Sequence, residues 1–222
     1  MISLEKSTIV FDLDDSLYLE KDYQHSGVVK VSEYIKALYD KDLEFELLAA
    51  MENKQDIWEE ACKLLNLPLE VKNSFLWIYR LHTPDIEMGV REKKAFEDIS
   101  SIAKHTAILT DGRSISQRQK LKSLGLLDHA LYISQEYQSV KPSTERFTII
   151  MNELPAENFI YFGDNPTKDF QAPNLLKWTT ICLYPSYKNI HSYKIEEIEE
   201  PNLPEIWVHS LQDLKENILK LY

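Results

Sequence analysis

The chain has 222 residues, with 25 Lys and Arg against 36 Asp and Glu and a formal net charge of −11. That balance argues against a nucleic-acid polymer or an anionic membrane surface as partner, since both need clustered cations, and no apolar run approaches the ~18 residues of a membrane span. With 44% hydrophobic and 27% charged residues, the composition is that of a folded globular chain, and the length suits one domain with a large insertion or two small ones.

The start of the chain, Met1 to Lys6, lacks the apolar run of a secretory signal, so a cytoplasmic location is expected. The first element is the apolar run Thr8-Ile9-Val10-Phe11, which stops abruptly at Asp12. Short runs rich in β-branched residues suit strands buried on both faces of a parallel sheet. From about residue 17 to about 95 the pattern changes to successive helical stripes: Val28, Val31, Ile35 and Leu38; then Ile57, Trp58, Ala61, Leu64 and Leu65; then Val71, Phe75 and Ile78. No buried strand interrupts them, and Pro84 and Gly89 mark a return to the first pattern.

Strand-like runs then recur at Ala107 to Leu109, Ala130 to Ile133, Phe159 to Phe162 and Thr180 to Leu183, with a weaker one at Ile206 to Val208. Helical stripes lie between and after them, including Phe147, Ile150, Met151 and Leu154. Leu211, Leu214, Ile218 and Leu221 form the last, with Ser210 and Asp213 as its cap. The segment from Ile195 to Glu205, with five glutamates and two prolines, reads as a solvated connection. Cys62 and Cys182 match no metal spacing and read as reduced, buried thiols. The expected fold is α/β, a Rossmann-like open parallel sheet with flanking helices. Residues 1–16 and 92–222 form this core, and residues 17–91 an inserted all-helical subdomain.

In open α/β sheets ligands bind at the carboxyl ends of the strands. Those ends carry Asp12-Leu13-Asp14-Asp15-Ser16, then Thr110-Asp111-Gly112-Arg113, then Gly163-Asp164 through Asp169, with Lys141-Pro142 between the third strand and a helix. Singly, each is an ordinary turn or cap. Together they gather carboxylates, and two of these ~4 Å apart repel by about 4 kcal/mol at an effective dielectric near 20. Asp12, Asp14, Asp164 and Asp169 therefore need a positive partner, and Lys141 alone cannot balance four. An all-oxygen site suits a hard divalent cation such as Mg²⁺.

These four segments, in this order, resemble the four motifs of the haloacid dehalogenase superfamily, and the helical insertion resembles the cap that some members carry after the first motif. The resemblance implies a phosphoryl-transfer enzyme. Asp12 would be the nucleophile and Asp14 the general acid and base, with Asp14 held protonated by neighbouring negative charge. Asp12, Asp164 and the carbonyl of Asp14 would bind Mg²⁺, with Asp169 and Ser16 in support. Thr110 and the backbone amides of Leu13 and Asp111 would hold phosphoryl oxygens, and Lys141 would neutralise charge on the nucleophile.

Members that displace halide lack an acid at the position of Asp14, so its presence favours phosphate chemistry. Gln138 and Lys177 stand where relatives usually have glycine, which implies altered loop conformations. Substrate selection would fall to the insertion, with Tyr18, Tyr23, His25 and Arg80 as candidates and His82 and Arg113 as weaker ones. The expected activity is a Mg²⁺-dependent phosphatase for a small phosphorylated metabolite, a sugar phosphate or nucleotide. The alternatives are a phosphomutase with the same covalent intermediate and a non-catalytic phospho-accepting or binding module. Oligomeric state is not legible.

Overall fold

The computed structural model describes residues 3–191 and 193–219. Strand β1 (Ser7–Phe11) is buried at all five positions, with Ile9, Val10 and Phe11 apolar and the hydroxyls of Ser7 and Thr8 satisfied by the Ser3 and Leu154 carbonyls. Four helices follow it: α1 (Glu20–Tyr39), α2 (Glu44–Glu52), α3 (Ile57–Leu65) and α4 (Lys72–Leu81). Next come α5 (Val90–Ile102), β2 (His105–Thr110), α6 (Ser114–Leu124), β3 (Ala130–Ile133) and the short α7 (Ser134–Tyr137). The chain continues through α8 (Glu145–Glu153), β4 (Asn158–Gly163), the short α9 (Pro166–Asp169) and α10 (Gln171–Leu175). It closes with β5 (Thr179–Leu183), β6 (Ile206–Val208) and α11 (Leu211–Leu219).

Among the described residues six strands form one sheet in the order β3-β2-β1-β4-β5-β6, and every neighbouring pair is parallel. Chain direction across the sheet reverses between β1 and β4, so the crevice at their carboxyl ends is the topological switch point where this architecture binds ligands. Alternate strand residues feed two separate cores. Ile9, Phe11, Ile108, Ile160 and Phe162 face α5, α6 and α11, whereas Val10, Leu109 and Tyr161 face the side of α8 with Phe147 and Ile150.

The helices between β1 and β2 have an apolar cluster of their own, built on Val28, Val31, Ile35, Leu47, Trp58, Ala61, Leu65 and Phe75. Helix α3 shows why they form: Trp58, Ala61, Cys62 and Leu65 share one buried stripe. Its first turn is capped by Asp56, whose carboxylate accepts the Glu59 amide at 3.1 Å, and its last by Asn66 in the left-handed region. At the far end of the chain the Asp213 amide donates to Ser210 Oγ at 3.1 Å, the cap read from the sequence. The side chain of Ile218, and Leu221, lie outside the described residues. Cys62 and Cys182 are both free and buried. No helix among the described residues is long and apolar enough to cross a membrane.

Two loops differ from expectation. Gln138 and Lys177 adopt left-handed backbone, with φ of 49° and 61°. That is the region glycine occupies without a Cβ penalty, so these loops keep the conformation a glycine would allow and accept local strain.

Candidate active site

Asp12 leaves β1 with its amide donating to the Phe162 carbonyl at 2.8 Å, which ties the first strand end to β4. Its carboxylate, in a residue 5% exposed, accepts from Lys141 Nζ at 2.6 Å on Oδ1. The same ammonium lies 2.6 Å from Asp169 Oδ1 and 3.2 Å from the Tyr161 hydroxyl. Asp169 Oδ2 accepts the Asn165 amide at 2.9 Å, so the short turn after β4 is folded around this side chain. The Ser16 hydroxyl stands 3.4 Å from both Asp12 Oδ2 and Asp164 Oδ1.

One oxygen from each of Asp12, Asp164 and Asp169 falls within 4.8 Å of the others, and all three residues are buried. Burial pushes the Asp12 carboxyl up to about 7 even with Lys141 beside it. Burial, then the charges of Asp169 and Asp12, raise Asp164 well above the carboxylate range. Three carboxylates around one ammonium group thus remain short of positive charge, and an all-oxygen donor set of this kind fits a hard divalent cation.

Asp14 departs from the sequence expectation. Burial pushes its carboxyl up, but Lys120 more than offsets this, helped by hydrogen bonds from Lys120, Tyr18 and Gln117, and holds it below the usual range. Lys120 Nζ lies 2.7 Å from Oδ1, the Tyr18 hydroxyl donates to the same oxygen, and Gln117 Nε2 donates to Oδ2 at 2.9 Å. Asp14 is therefore held as a carboxylate by a cation on α6. Two buried lysines supply positive charge at the strand ends, where Lys141 together with a divalent cation was expected.

Thr110 ends β2 with its hydroxyl buried and without a hydrogen-bond partner, an oxygen left to meet a ligand. The Asp111 carboxylate faces away from such a role, because it accepts the Lys141 amide at 3.1 Å and pairs with Arg146. Arg146, 1% exposed, also donates to the Thr110 and Tyr132 carbonyls at 2.9 and 3.0 Å. Leu13 is fully buried beneath the turn. The residues meet in a cavity of about 170 Å³ lined by Asp12, Asp14, Thr110, Lys141, Asp164 and Asp169, together with Glu20, Lys168 and His191.

The expected selectivity residues scatter. Tyr18 and Tyr23 are buried, the first on Asp14 and the second with its ring centroid 4.1 Å from Lys120 Nζ. His25 is exposed and lines a depression with Thr83 and Asp85, not the acidic cavity. Arg80 makes no ion pair among the described residues and lies over the Trp77 ring at 5.4 Å. His82 is buried against Tyr23 and Tyr79, with Nδ1 2.5 Å from the Tyr79 carbonyl.

Lys120, Gln117, Arg146, Tyr161 and the loop after β5 also reach the site, though the strand-end motifs do not include them. That loop places the Ile190 amide 2.8 Å from Asp15 Oδ2 and Asn189 Nδ2 3.4 Å from Asp164 Oδ2. A signal existed for two of them. Gln117 and Lys120 share the buried stripe of Leu121 and Leu124, where polar side chains need a reason.

Carboxylates gathered at strand ends beside a switch point, with a buried lysine from the loop before α8 and an unsatisfied hydroxyl at the end of β2, define the class: a parallel α/β enzyme with its site at the strand ends. The chain belongs to the haloacid dehalogenase-like hydrolases, whose family model matches residues 6–174. It is 24% identical over 247 aligned residues to the glyceraldehyde 3-phosphate phosphatase of Methanocaldococcus jannaschii, covering 96% of this chain and 97% of that one. Among solved structures it resembles YfnB of Bacillus subtilis, described as a HAD-hydrolase bound to magnesium, at a TM-score of 0.64, with 16% identity over 95% of this chain and 97% of that one. It also resembles the 2-haloacid dehalogenase of Pseudomonas syringae, at a TM-score of 0.65, with 13% identity over 97% of this chain and 99% of that one.

Proposed function

We propose that the chain is a Mg²⁺-dependent phosphatase that hydrolyses a small sugar phosphate through an aspartyl-phosphate on Asp12. The observation that carries this reading is the placement of two carboxylates with different partners on one small cavity: Asp12 against Lys141, and Asp14 against Lys120. A halide needs no proton to leave, whereas an alkoxide does, so the second carboxylate favours ester cleavage over dehalogenation. The small cavity favours a small substrate, in keeping with the triose phosphate named for the Methanocaldococcus relative.

In the first step Asp14, a carboxylate in the free chain, takes up a proton as the negative charge of the phosphate enters beside it; an Asp12 oxygen then bonds to phosphorus while the ester P–O bond breaks, and that proton goes to the leaving oxygen. In the second, water attacks phosphorus, its proton passes to Asp14, and the bond to Asp12 breaks to give inorganic phosphate. Lys141 offsets charge on Asp12 throughout, and Thr110 Oγ1 with the amides of Leu13 and Asp111 would hold phosphoryl oxygens. Asp12, Asp164 and the Asp14 carbonyl would hold Mg²⁺, with Asp169 and Ser16 in support; the ion supplies neutralisation and orientation of the phosphoryl oxygens. The helical insertion over residues 17–91 would screen the cavity from water.

The test is phosphate release from glyceraldehyde 3-phosphate and a panel of phosphorylated metabolites, with Mg²⁺ and with EDTA. Wild-type turnover that stops with EDTA and falls by several orders of magnitude in Asp12→Asn is expected. Turnover surviving EDTA removes the metal, and Asp12→Asn retaining more than about a tenth of the rate removes the nucleophile.

A further inference from the structure

We propose that Lys120, together with Gln117, is a positioning residue for Asp14, fixing that carboxylate against the phosphoryl site so that it can exchange a proton with the leaving oxygen. The inference rests on the phosphatase reading and adds to it two residues from a helix that carries none of the strand-end motifs.

Lys120 is 3% exposed, and a lysine in such a position needs a strong reason. Its Nζ has Asp14 Oδ1 as its carboxylate partner at 2.7 Å, and its place is set by the Tyr23 ring, centroid 4.1 Å away, and the Tyr18 ring at 5.9 Å. Gln117, one turn earlier on α6, takes the other carboxylate oxygen at 2.9 Å. Both oxygens are thus held, Oδ1 by Lys120 and the Tyr18 hydroxyl and Oδ2 by Gln117, which leaves the plane of the carboxylate no freedom to turn. The Asp14 side chain still keeps 18% exposure and lines the cavity, so the cluster orients the group without closing it off.

Gln117 does a second thing. The same Nε2 donates to the Asp111 carbonyl at 2.7 Å, in the segment directly after Thr110. The amide therefore ties the proton-transfer group to the strand end that offers the unpartnered Thr110 hydroxyl, and sets the spacing between them. Proton transfer depends on hydrogen-bond reach, so a carboxylate released from this frame loses part of the 10²–10⁴-fold such groups contribute. A pair retained for stability alone would be a weak explanation, because apolar replacements of buried ion pairs are often neutral or stabilising.

The test uses leaving groups. The kcat/KM for a phosphatase of this kind reports the step in which the ester bond breaks. An alkyl phosphate such as glyceraldehyde 3-phosphate needs a proton at its leaving oxygen, whereas p-nitrophenyl phosphate, with an acidic phenol, does not. Lys120→Met should lower kcat/KM by about 10²-fold for the alkyl ester and by less than about tenfold for the aryl ester. Gln117→Leu should shift both in the same order, Lys120→Arg should recover part of the alkyl activity, and Lys120→Met should add nothing in an Asp14→Asn background. Should Lys120→Met fail to melt cooperatively, Gln117→Leu carries the test. Equal losses with both esters, or additive losses with Asp14→Asn, overturn the positioning role and leave the phosphatase reading intact. A wild-type chain that releases phosphate from neither ester overturns both.

Discussion

Asp12, Asp164 and Asp169 sit within 4.8 Å of one another with the ammonium of Lys141 touching two of them. Burial raises both Asp12 and Asp164, so a cation that binds these oxygens should stabilise the fold by mass action. Mg²⁺ in millimolar excess is expected to raise the melting temperature of the wild-type chain and to leave that of Asp164→Asn nearly unchanged. An equal rise in both would remove Asp164 from the metal set. The residues at the strand ends were legible because an abrupt change from apolar to acidic marks where a buried strand stops. Lys120, Gln117 and Arg146 were not, because each reaches the site from a helix, and helix-borne polar residues read as solvated unless their stripe is traced. Arg146 lies beside Phe147 and one turn before Ile150, both fully buried, and the three together form the face turned to the sheet.

At the scale of elements, the strands were easier to read than the loops. Each of the six strands among the described residues contains one of the apolar runs, since a strand covered on both faces shows its apolar residues as a short unbroken block, although polar residues such as Ser7, His105 and Asn158 extend the strands at their starts. Helix α6 was obscured by the very polar residues that serve Asp14. The loops at Gln138 and Lys177 show how a departure in residue type need not mean a departure in shape. Their left-handed backbone carries a Cβ penalty that glycine would remove, partly offset by the entropy glycine loses on folding. Lys177→Gly, remote from the catalytic carboxylates, should therefore raise unfolding free energy by about 1 kcal/mol in a denaturant titration. A loss of stability would show that the Lys177 side chain contributes more than its backbone costs.

Across the whole molecule, the helices between β1 and β2 meet α6 at a cluster of aromatic rings. Tyr23 and Tyr79 pack on His82, and Lys120 lies under Tyr23. Burial, with Lys120 and Lys30 nearby, holds the His82 imidazole below its usual value of 6.5, while the Tyr79 carbonyl pulls the other way. As pH falls through 6.5 the unfolded chain takes up this proton and the folded chain does not, so stability should decline from about pH 6.5 downward. His82→Gln should flatten that part of the stability profile; an unchanged slope would assign it to other groups.

The net charge of −11 has two origins at this scale. Glutamates such as Glu196, Glu199 and Glu200 lie exposed in the connection before β6, whereas Asp12, Asp164 and Asp169 are buried together at the switch point. The topology that brings the second group together was legible from the order of strands and helices, as was Lys141 beside it, whereas Lys120 beside Asp14 was not. The proposed mechanism requires Asp12 to carry the phosphoryl group during turnover. Acid quench during hydrolysis of glyceraldehyde 3-phosphate, followed by peptide mass spectrometry, tests it directly. A phosphoryl adduct on the peptide bearing Asp12, absent from Asp12→Asn, is the predicted result. Steady turnover with no adduct on that peptide, or an adduct on another residue, would contradict it.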